Sequence, residues 1–179
     1  ALYRANLSGY IERAFAELNP GDSFLWGFHI LAIAHQLKRV LTGEVRRLLI
    51  IMPPRHLKSH SVSISFPAYV LGQDPTRRII CASHSADLAQ GFSLQSRRLI
   101  ESPWHRAVFP ELVFDPRKAS AEELRTTRNG VRIATSVGGS LTGKGGDIII
   151  IDDPLKAEDA HSEAKREAMH SWFTGTVST

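Results

Sequence analysis

The chain has 179 residues, of which 42 % are hydrophobic and 22 % charged, and this balance excludes a disordered or fibrous protein. Cys81 is the only cysteine, so an internal disulfide and a cysteine-rich zinc site are both excluded, and we expect a reducing compartment. The net charge of +4 permits an anionic partner such as nucleic acid or a nucleotide. The apolar runs are far shorter than the ~20 residues that a bilayer requires, and no signal peptide is visible. We therefore expect one cytoplasmic domain over residues 1–179, without a membrane span.

The first third of the chain predicts a helix, a strand and a second helix. Apolar residues at helical spacing predict an amphipathic helix between residues 28 and 41, which Gly43 would end. The run LLIIM at 48–52, stopped by two prolines, predicts a buried parallel strand. A helical stripe starts at Ser59, and Pro67 must kink or end that helix.

The middle of the chain continues the alternation. Residues 77–83 predict a second strand, and Ser85 can cap a helix that closes before Pro103. The core face of that helix is expected to hold Leu88, Phe92, Gln95 and Leu99.

The last third predicts a turn, a strand and a final helix. Residues 115–125 are charged, and Asn129 with Gly130 then favours a type I′ hairpin. The apolar run at 148–151 predicts a buried strand with acids at its tip. A helix is predicted from about Ser162 to Phe173, and it would place near one face the residues Ala164, Ala168, Met169 and Trp172. The alternation favours an α/β fold with a mostly parallel sheet and helices on both of its faces.

Ligands of parallel sheets bind beyond the carboxyl ends of the strands, which here are followed by the segment PPRHLKSH at 53–60 and by two acids. Lys58 and Ser59 suit a phosphate site, because a lysine can reach the β and γ phosphates and a hydroxyl can bind Mg²⁺. Asp152 could hold the magnesium ion through a water, and Asp153 could orient or deprotonate the water that attacks the γ-phosphate. Each pattern alone is commonly a helix start or a solvated turn, but together they predict an ATPase site.

The segment GGSLTGKG at 138–145 imitates a phosphate-binding loop, although Gly145 occupies the position of the hydroxyl residue. It leads into a predicted strand and not into a helix, so no helix N-terminus would face a phosphate. We interpret it as a flexible loop at the rim of the site, where Lys144 touches phosphate or a neighbouring subunit.

Five longer segments follow one another along the chain: RRLLIIMPPRHLKSH, FPAYVLGQDPTRRIICASHSADLA, SPWHRAVFP, ATSVGGSLTGKGGDIIIIDDPLK and EAKREAMHSWFTGT. Together they resemble the large terminase subunit of tailed bacteriophages and prophages, and the resemblance extends from about Trp26 to Thr179. The resemblance implies a P-loop NTPase-type domain that hydrolyses ATP with Mg²⁺ to drive double-stranded DNA into a capsid. It also implies a portal, a small terminase subunit and a ring of copies as partners, in the cytoplasm of a bacterial host.

The resemblance assigns roles to the residues around the predicted phosphate loop. Arg55 and Lys58 would neutralise phosphate charge as catalytic residues together with Asp153, and Ser59 and Asp152 would bind Mg²⁺. The segment around Trp26 and His29 resembles the family's adenine-side region, with core packing as the alternative. The ATP-binding set is Pro54, Arg55, His56, Leu57, Lys58, Ser59 and His60.

Two positions depart from the family pattern. Leu57 stands where the family has a glycine, and Met52 stands at the first glycine of the general motif. A leucine should weaken nucleotide binding or reshape the loop, because glycine allows a closer backbone approach. The sequence also stops before the family's coupling segment and nuclease domain. The alternatives are a non-catalytic remnant that binds DNA or a partner, and, on fold analogy, a helicase.

A packaging motor should grip DNA phosphates without reading bases, so binding is expected to be independent of sequence and sensitive to salt. The candidates by charge alone, each with a solvated surface position as the alternative, are Arg97, Arg98, Arg106, Arg117 and Lys118.

Overall fold

The computed structural model describes residues 2–141 and 144–177, which form two compact units. The first unit comprises the chain up to Pro75 together with Gln95–Val113, and the second comprises Thr76–Leu94 and the chain from Phe114 onward. Each unit is built around its own buried apolar residues, and the expectation of a single domain stays a prediction. None of the helices in the described part of the chain has the length and apolar character needed to cross a membrane.

The first unit is helical. Its elements are α1 (Leu2–Ala5), α2 (Leu7–Leu18), α3 (Phe28–Leu41), a π-helical stretch (His60–Ser65), α4 (Phe66–Gln73), the end of α5 (Ala86–Glu101) and α6 (Pro103–Val108). Asn6 caps α2, since its side-chain oxygen accepts a hydrogen bond from the Gly9 N–H at 3.1 Å. The prediction of α3 is confirmed, and Gly43 follows it at φ +78°.

Aromatic rings form much of the core of the first unit. The Tyr10 ring lies 5.2 Å from the ring of Tyr69, 5.3 Å from Trp104, 5.9 Å from His105 and 6.1 Å from Phe109, measured between centroids. Three of these four contacts are edge-to-face and the one with Trp104 is tilted, and such contacts add to the free energy gained by burying the rings.

The helix that follows the predicted phosphate loop changes its winding before the proline. The chain is helical from Lys58, runs as a π-helix from His60 to Ser65 and becomes α-helical at Phe66. Pro67 lies in the first turn of the α-helical part, where its missing N–H is tolerated. The helix therefore does not end at this proline but continues to Gln73, and its winding changes just before the proline.

The predicted strand at 48–52 is wrong. The segment forms no strand, and its exposure alternates, with Leu49 82 % and Ile51 84 % exposed. A strand requires a neighbour that satisfies its N–H and C=O groups, and none of the strands that the structure describes pairs with this segment. An apolar run alone cannot reveal whether that neighbour exists.

The second unit contains a sheet whose strands are β1 (Arg78–Ser83), β2 (Phe114–Ala119), β3 (Glu123–Thr126), β4 (Val131–Ser136) and β5 (Ile148–Asp152). Their order is β2-β3-β4-β1-β5. β1 is parallel to both β4 and β5, whereas β2, β3 and β4 are antiparallel neighbours. The α/β class is therefore confirmed, with a mixed sheet that has a parallel core.

Helices accompany this sheet. α5 starts after Ser85, whose hydroxyl accepts a hydrogen bond from the Leu88 N–H at 3.3 Å, and it ends before Pro103, as predicted. A short 3₁₀ turn (Ala157–Asp159) precedes α7 (Glu163–Trp172), which a π-helical turn (Phe173–Val177) follows. Trp172 of α7 packs on one cluster with Ile80, Ala82, Val131, Ile133 and Leu141.

Two sequence predictions about strands and turns need correction, and the charged stretch at 115–125, for which no element was predicted, is given its place. The turn after β3 has a positive φ at Asn129 only, so it is not a type I′ turn, and the Thr126 hydroxyl accepts a hydrogen bond from the Gly130 N–H at 2.9 Å. β5 lies at the sheet edge, where Ile149 is 38 % exposed, so it is not fully buried. The charged stretch at 115–125 contributes to β2 and β3.

Two predicted helix faces are also partly wrong. Gln95 of α5 is exposed, and Ala89, Ser93 and Ser96 are buried in its place. In α7 the two alanines are exposed, Met169 is half-buried and Trp172 is buried. Alanine and other small residues can follow the spacing of a core face and still be exposed, because burying their small apolar area gains little free energy.

Candidate functional site: a phosphate loop and a carboxylate turn

The loop before the π-helix contains two left-handed residues that are not glycine. Arg55 has φ +64° and Leu57 has φ +59°, which costs a residue with a Cβ atom about 1–2 kcal/mol. The Ser61 N–H donates to the Leu57 carbonyl at 2.9 Å, and the helical turn begins at Lys58. The left-handed backbone at position 57 is the conformation for which glycine is suited.

The side chains of this loop differ in exposure. Pro54, Arg55 and His56 are exposed, whereas Leu57, Lys58 and Ser59 are half-buried. The helix start that carries Lys58 offers backbone N–H groups to an anion, and the lysine and the hydroxyl of Ser59 are the side chains that a phosphate site requires. Their chemistry therefore fits the phosphates of a nucleotide.

The two histidines of the loop have different surroundings. His56 donates from Nδ1 to the Pro54 carbonyl at 2.8 Å, which braces the turn. The ring of His60 is buried, with Nε2 3.1 Å from the Ile11 carbonyl oxygen and 3.2 Å from the Ser65 hydroxyl. Burial lowers the pKa of His60, and its bond to Ile11 opposes this effect. His60 thus connects the helix to α2 through its buried side chain.

Aromatic side chains lie next to the loop within the same unit. The ring centroids of His29 and His56 are 5.7 Å apart, and Phe28 is 84 % exposed. Trp26 is 49 % exposed and donates from Nε1 to Glu12 Oε1 at 2.8 Å. Trp26 is too exposed for a core residue, which speaks against the core-packing alternative at that position, whereas His29 is half-buried. The adenine-side role of this segment stays a prediction.

In the second unit, the two acids form a turn at the end of β5. Asp152 is buried and pairs with Ser83 of β1, whose hydroxyl donates to the Asp152 carbonyl at 2.8 Å. Asp153 is exposed and left-handed, with φ +46°. Its carbonyl accepts two hydrogen bonds from His84, one from the backbone N–H and one from Nδ1, each at 3.1 Å.

Charged groups also surround the buried thiol of β1. Burial raises the pKa of Cys81, while the charge of Arg132 lowers it and the charge of Asp152 raises it. Burial likewise lowers the pKa of Arg132, which lies inside the unit on β4. The thiol therefore stays protonated at neutral pH, which excludes Cys81 as a nucleophile.

The glycine-rich loop borders a cavity of about 230 Å³ in the second unit. Lys144 lines it, and its Nζ lies 3.8 Å from Glu123 Oε2. A hydrogen bond from Arg125 lowers the pKa of Glu123, with a weaker contribution from Lys144. The rest of the lining includes Gln90, Glu122, Thr135, Ser136 and Ser140. Thr142 and Gly143 of this loop lie outside the described residues.

The two halves of the predicted site belong to different units, because residues 54–60 lie in the first and Asp152 and Asp153 lie in the second. Their action on one nucleotide stays a prediction. Sequence reasoning missed His84, although the rule that led to Asp152 and Asp153 applies equally to the residue that follows the tip of β1.

The basic residues proposed for DNA binding also belong to different units. In the first unit Arg98 and Arg106 are exposed, while Arg97 forms an ion pair with Glu101 at 3.0 Å. In the second unit Arg117 and Lys118 are exposed on β2. Exposure makes these side chains accessible to a polyanion without identifying one.

No cluster of three or more histidine, cysteine or acidic residues within 2–141 and 144–177 could hold a metal ion. Mg²⁺ does not require such a cluster, because one or two protein ligands usually hold it together with substrate phosphates. No protein-family model matches the chain, and no curated protein matches it.

Proposed function

We propose that the chain is an ATP-hydrolysing motor domain of the DNA-packaging terminase type. The observation that carries the proposal is the loop in which Leu57 is left-handed and leads directly into a helix that starts with Lys58 and Ser59. The left-handed backbone, the helix start, the lysine and the hydroxyl are features that a triphosphate needs, whereas the leucine side chain is not one of them. The carboxylate turn at the end of β5 supports the proposal with the second set of groups that hydrolysis requires.

In this proposal the residues of both predicted motifs act on one nucleotide. Lys58 and Arg55 neutralise phosphate charge, and the rings of Trp26 and His29 lie on the side of the base. Ser59 and Asp152 would hold Mg²⁺, whose oxygen ligands match these side chains and which would neutralise charge on the phosphates. Asp153 orients or deprotonates the attacking water, and its exposure leaves it accessible to solvent.

The motor proposal implies several macromolecular partners. Double-stranded DNA would be gripped through its phosphates, and a portal, a small terminase subunit and further copies of this chain in a ring would complete the motor. Such a motor would work in the cytoplasm of a bacterial host.

Phosphate release from Mg-ATP, with and without double-stranded DNA, tests the proposal. The parent chain should release phosphate, and Lys58→Ala should not, whereas Lys165→Ala on the exposed side of α7 should behave like the parent. Equal release by the parent and Lys58→Ala would refute the assignment of Lys58. A folded parent without release, with or without DNA, would refute the motor proposal for this chain.

A second candidate is a non-catalytic remnant that keeps the fold and binds DNA or a partner. The left-handed Leu57 favours it, because a Cβ atom and an isobutyl group stand where the backbone has to approach the phosphates. Leu57→Gly separates the two candidates. Phosphate release that appears only in the glycine variant supports the remnant, and robust release by the parent excludes it.

A further inference from the structure

The turn that carries Asp152 and Asp153 is held by the two residues at the tip of β1. The Ser83 hydroxyl donates to the carbonyl of Asp152, and His84 donates twice to the carbonyl of Asp153. The backbone N–H of His84 continues the parallel ladder between β1 and β5, so only the Nδ1 bond depends on the identity of the side chain.

This turn is strained and therefore needs support. Asp153 is left-handed at φ +46° without being a glycine, a conformation that is disfavoured for a residue with a Cβ atom and persists only where its surroundings enforce it. A carbonyl that accepts two hydrogen bonds is fixed in direction, and this also fixes the plane of the following peptide group. The direction in which the Asp153 carboxylate leaves the turn is thereby restricted.

The bond also determines the tautomer of the histidine ring. A carbonyl oxygen can only accept, so Nδ1 carries the proton, and the neutral ring has its lone pair on Nε2. An asparagine at this position can place its amide nitrogen where Nδ1 stands, whereas a glutamine extends its amide toward the position of Nε2. The two substitutions thus separate the roles of the two ring nitrogens.

We propose that His84 is a positioning residue for ATP hydrolysis, which it assists by holding the Asp153 turn through Nδ1–H. The inference rests on the proposed function, in which Asp153 handles the attacking water. His84 is not assigned any contact with ATP. Its loss should lower the rate of the chemical step and leave nucleotide affinity unchanged, because the side chain acts on the geometry of Asp153 alone.

The kinetic test compares His84→Asn, His84→Gln and His84→Ala in steady-state ATP hydrolysis. We expect His84→Asn to keep kcat within about threefold of the parent, while the glutamine and alanine variants lose about tenfold, as the loss of one hydrogen bond implies. KM for ATP should change less than about twofold in all three, since only transition-state geometry is affected. Rescue by glutamine and not by asparagine would overturn the proposal, as would a loss confined to KM or three variants equal to the parent.

A measurement without turnover keeps the inference separate from the proposed function. In ¹⁵N nuclear magnetic resonance spectra of the parent, the His84 ring should be protonated at Nδ1. In ¹³C spectra, the chemical shifts of Asp153 should report a left-handed backbone. His84→Asn should preserve those shifts, and His84→Ala should change them. Protonation at Nε2, or unchanged Asp153 shifts in His84→Ala, would refute the positioning role. Absence of ATP hydrolysis in the parent would instead refute the proposed function.

Discussion

At the scale of single residues, this loop differs from a glycine-containing phosphate loop in that a leucine side chain stands at the left-handed position 57. Two truncations separate the effect of its Cβ atom from the effect of its side chain. Both Leu57→Gly and Leu57→Ala remove the isobutyl group, but only alanine keeps a Cβ at φ +59°. We expect the glycine variant to be more stable than the alanine variant by about 1 kcal/mol, measured by urea unfolding.

In an ordinary helical position the order of these two variants would be reversed, because alanine is favoured there by a similar amount. An alanine variant as stable as the glycine variant, or more stable, would show that residue 57 is not left-handed in solution.

The buried imidazole of His105 makes the first unit sensitive to acid. Burial among aromatic rings lowers the pKa of His105 to about 4, with a smaller opposing effect from the backbone of Ala68. The unfolded chain, with a pKa near 6.5, binds a proton that the folded chain excludes, so stability is lost as the pH falls from about 6.5 to about 4. The shift corresponds to roughly 3 kcal/mol at the acid end of this window.

The substitution His105→Phe keeps a ring in the aromatic cluster and removes the titrating group. We expect its free energy of unfolding to fall less than that of the parent between about pH 6.5 and about pH 4, by up to roughly 3 kcal/mol. Urea unfolding at several pH values measures this difference, and His161→Ala, at an exposed position, serves as the control. If the free energy of unfolding depended on pH equally in the parent and in His105→Phe, the lowered pKa of His105 would be contradicted.

At the scale of elements, the structure departs most clearly from the sequence prediction at residues 48–52, where a partly exposed segment replaces the predicted buried strand. Leu49 and Ile51 are more than four-fifths exposed, so replacing both with threonine should change the free energy of unfolding by less than about 1 kcal/mol in total. In a buried strand the same change would cost several kcal/mol. Chemical unfolding of the double variant decides between the two, with Ile30→Ala in the core of α3 as a control that should cost about 2–5 kcal/mol.

Sequence patterns predicted elements well where the signal was local. α3, the capped start of α5, β1 and α7 follow from helical spacing, capping serines and a short apolar run, all of which act over a few residues. The patterns failed where the outcome depends on a distant partner. Neither the sheet edge occupied by β5 nor the lack of a strand at 48–52 can be read from apolar runs, because both depend on which segments pair.

The same division applies to the candidate site. The helix start at Lys58 and the acidic turn at Asp152 could be predicted, since each is a local motif at the end of an element. The left-handed conformation of Asp153 and the hydrogen bonds from His84 could not, because they involve contacts between separate segments of the chain.

At the scale of the whole molecule, the positive net charge predicts how a DNA complex would respond to salt. Binding to double-stranded DNA should weaken between about 50 mM and about 200 mM salt, because the complex forms by releasing counterions from phosphates. Replacing Arg117 and Lys118 on β2 with alanine should reduce the slope of log K against log salt by up to about 2. Fluorescence anisotropy with two unrelated duplexes provides the measurement.

The control for that experiment is the pair Lys156→Ala and Lys165→Ala, which removes the same charge from exposed positions outside the sheet. Affinity that ignored ionic strength, or that differed strongly between the two duplexes, would contradict binding through phosphates.

The central claim is that the Lys58 loop binds the triphosphate and that Asp152 provides a ligand for the magnesium ion of the same nucleotide. Calorimetric titration of ATP, with and without Mg²⁺, into the parent, Lys58→Ala and Asp152→Asn tests both parts most directly. The account predicts that the parent binds ATP more tightly with Mg²⁺, that Lys58→Ala does not bind, and that Asp152→Asn binds with a smaller gain from Mg²⁺ than the parent. A Lys58→Ala variant that binds Mg-ATP as tightly as the parent would contradict it.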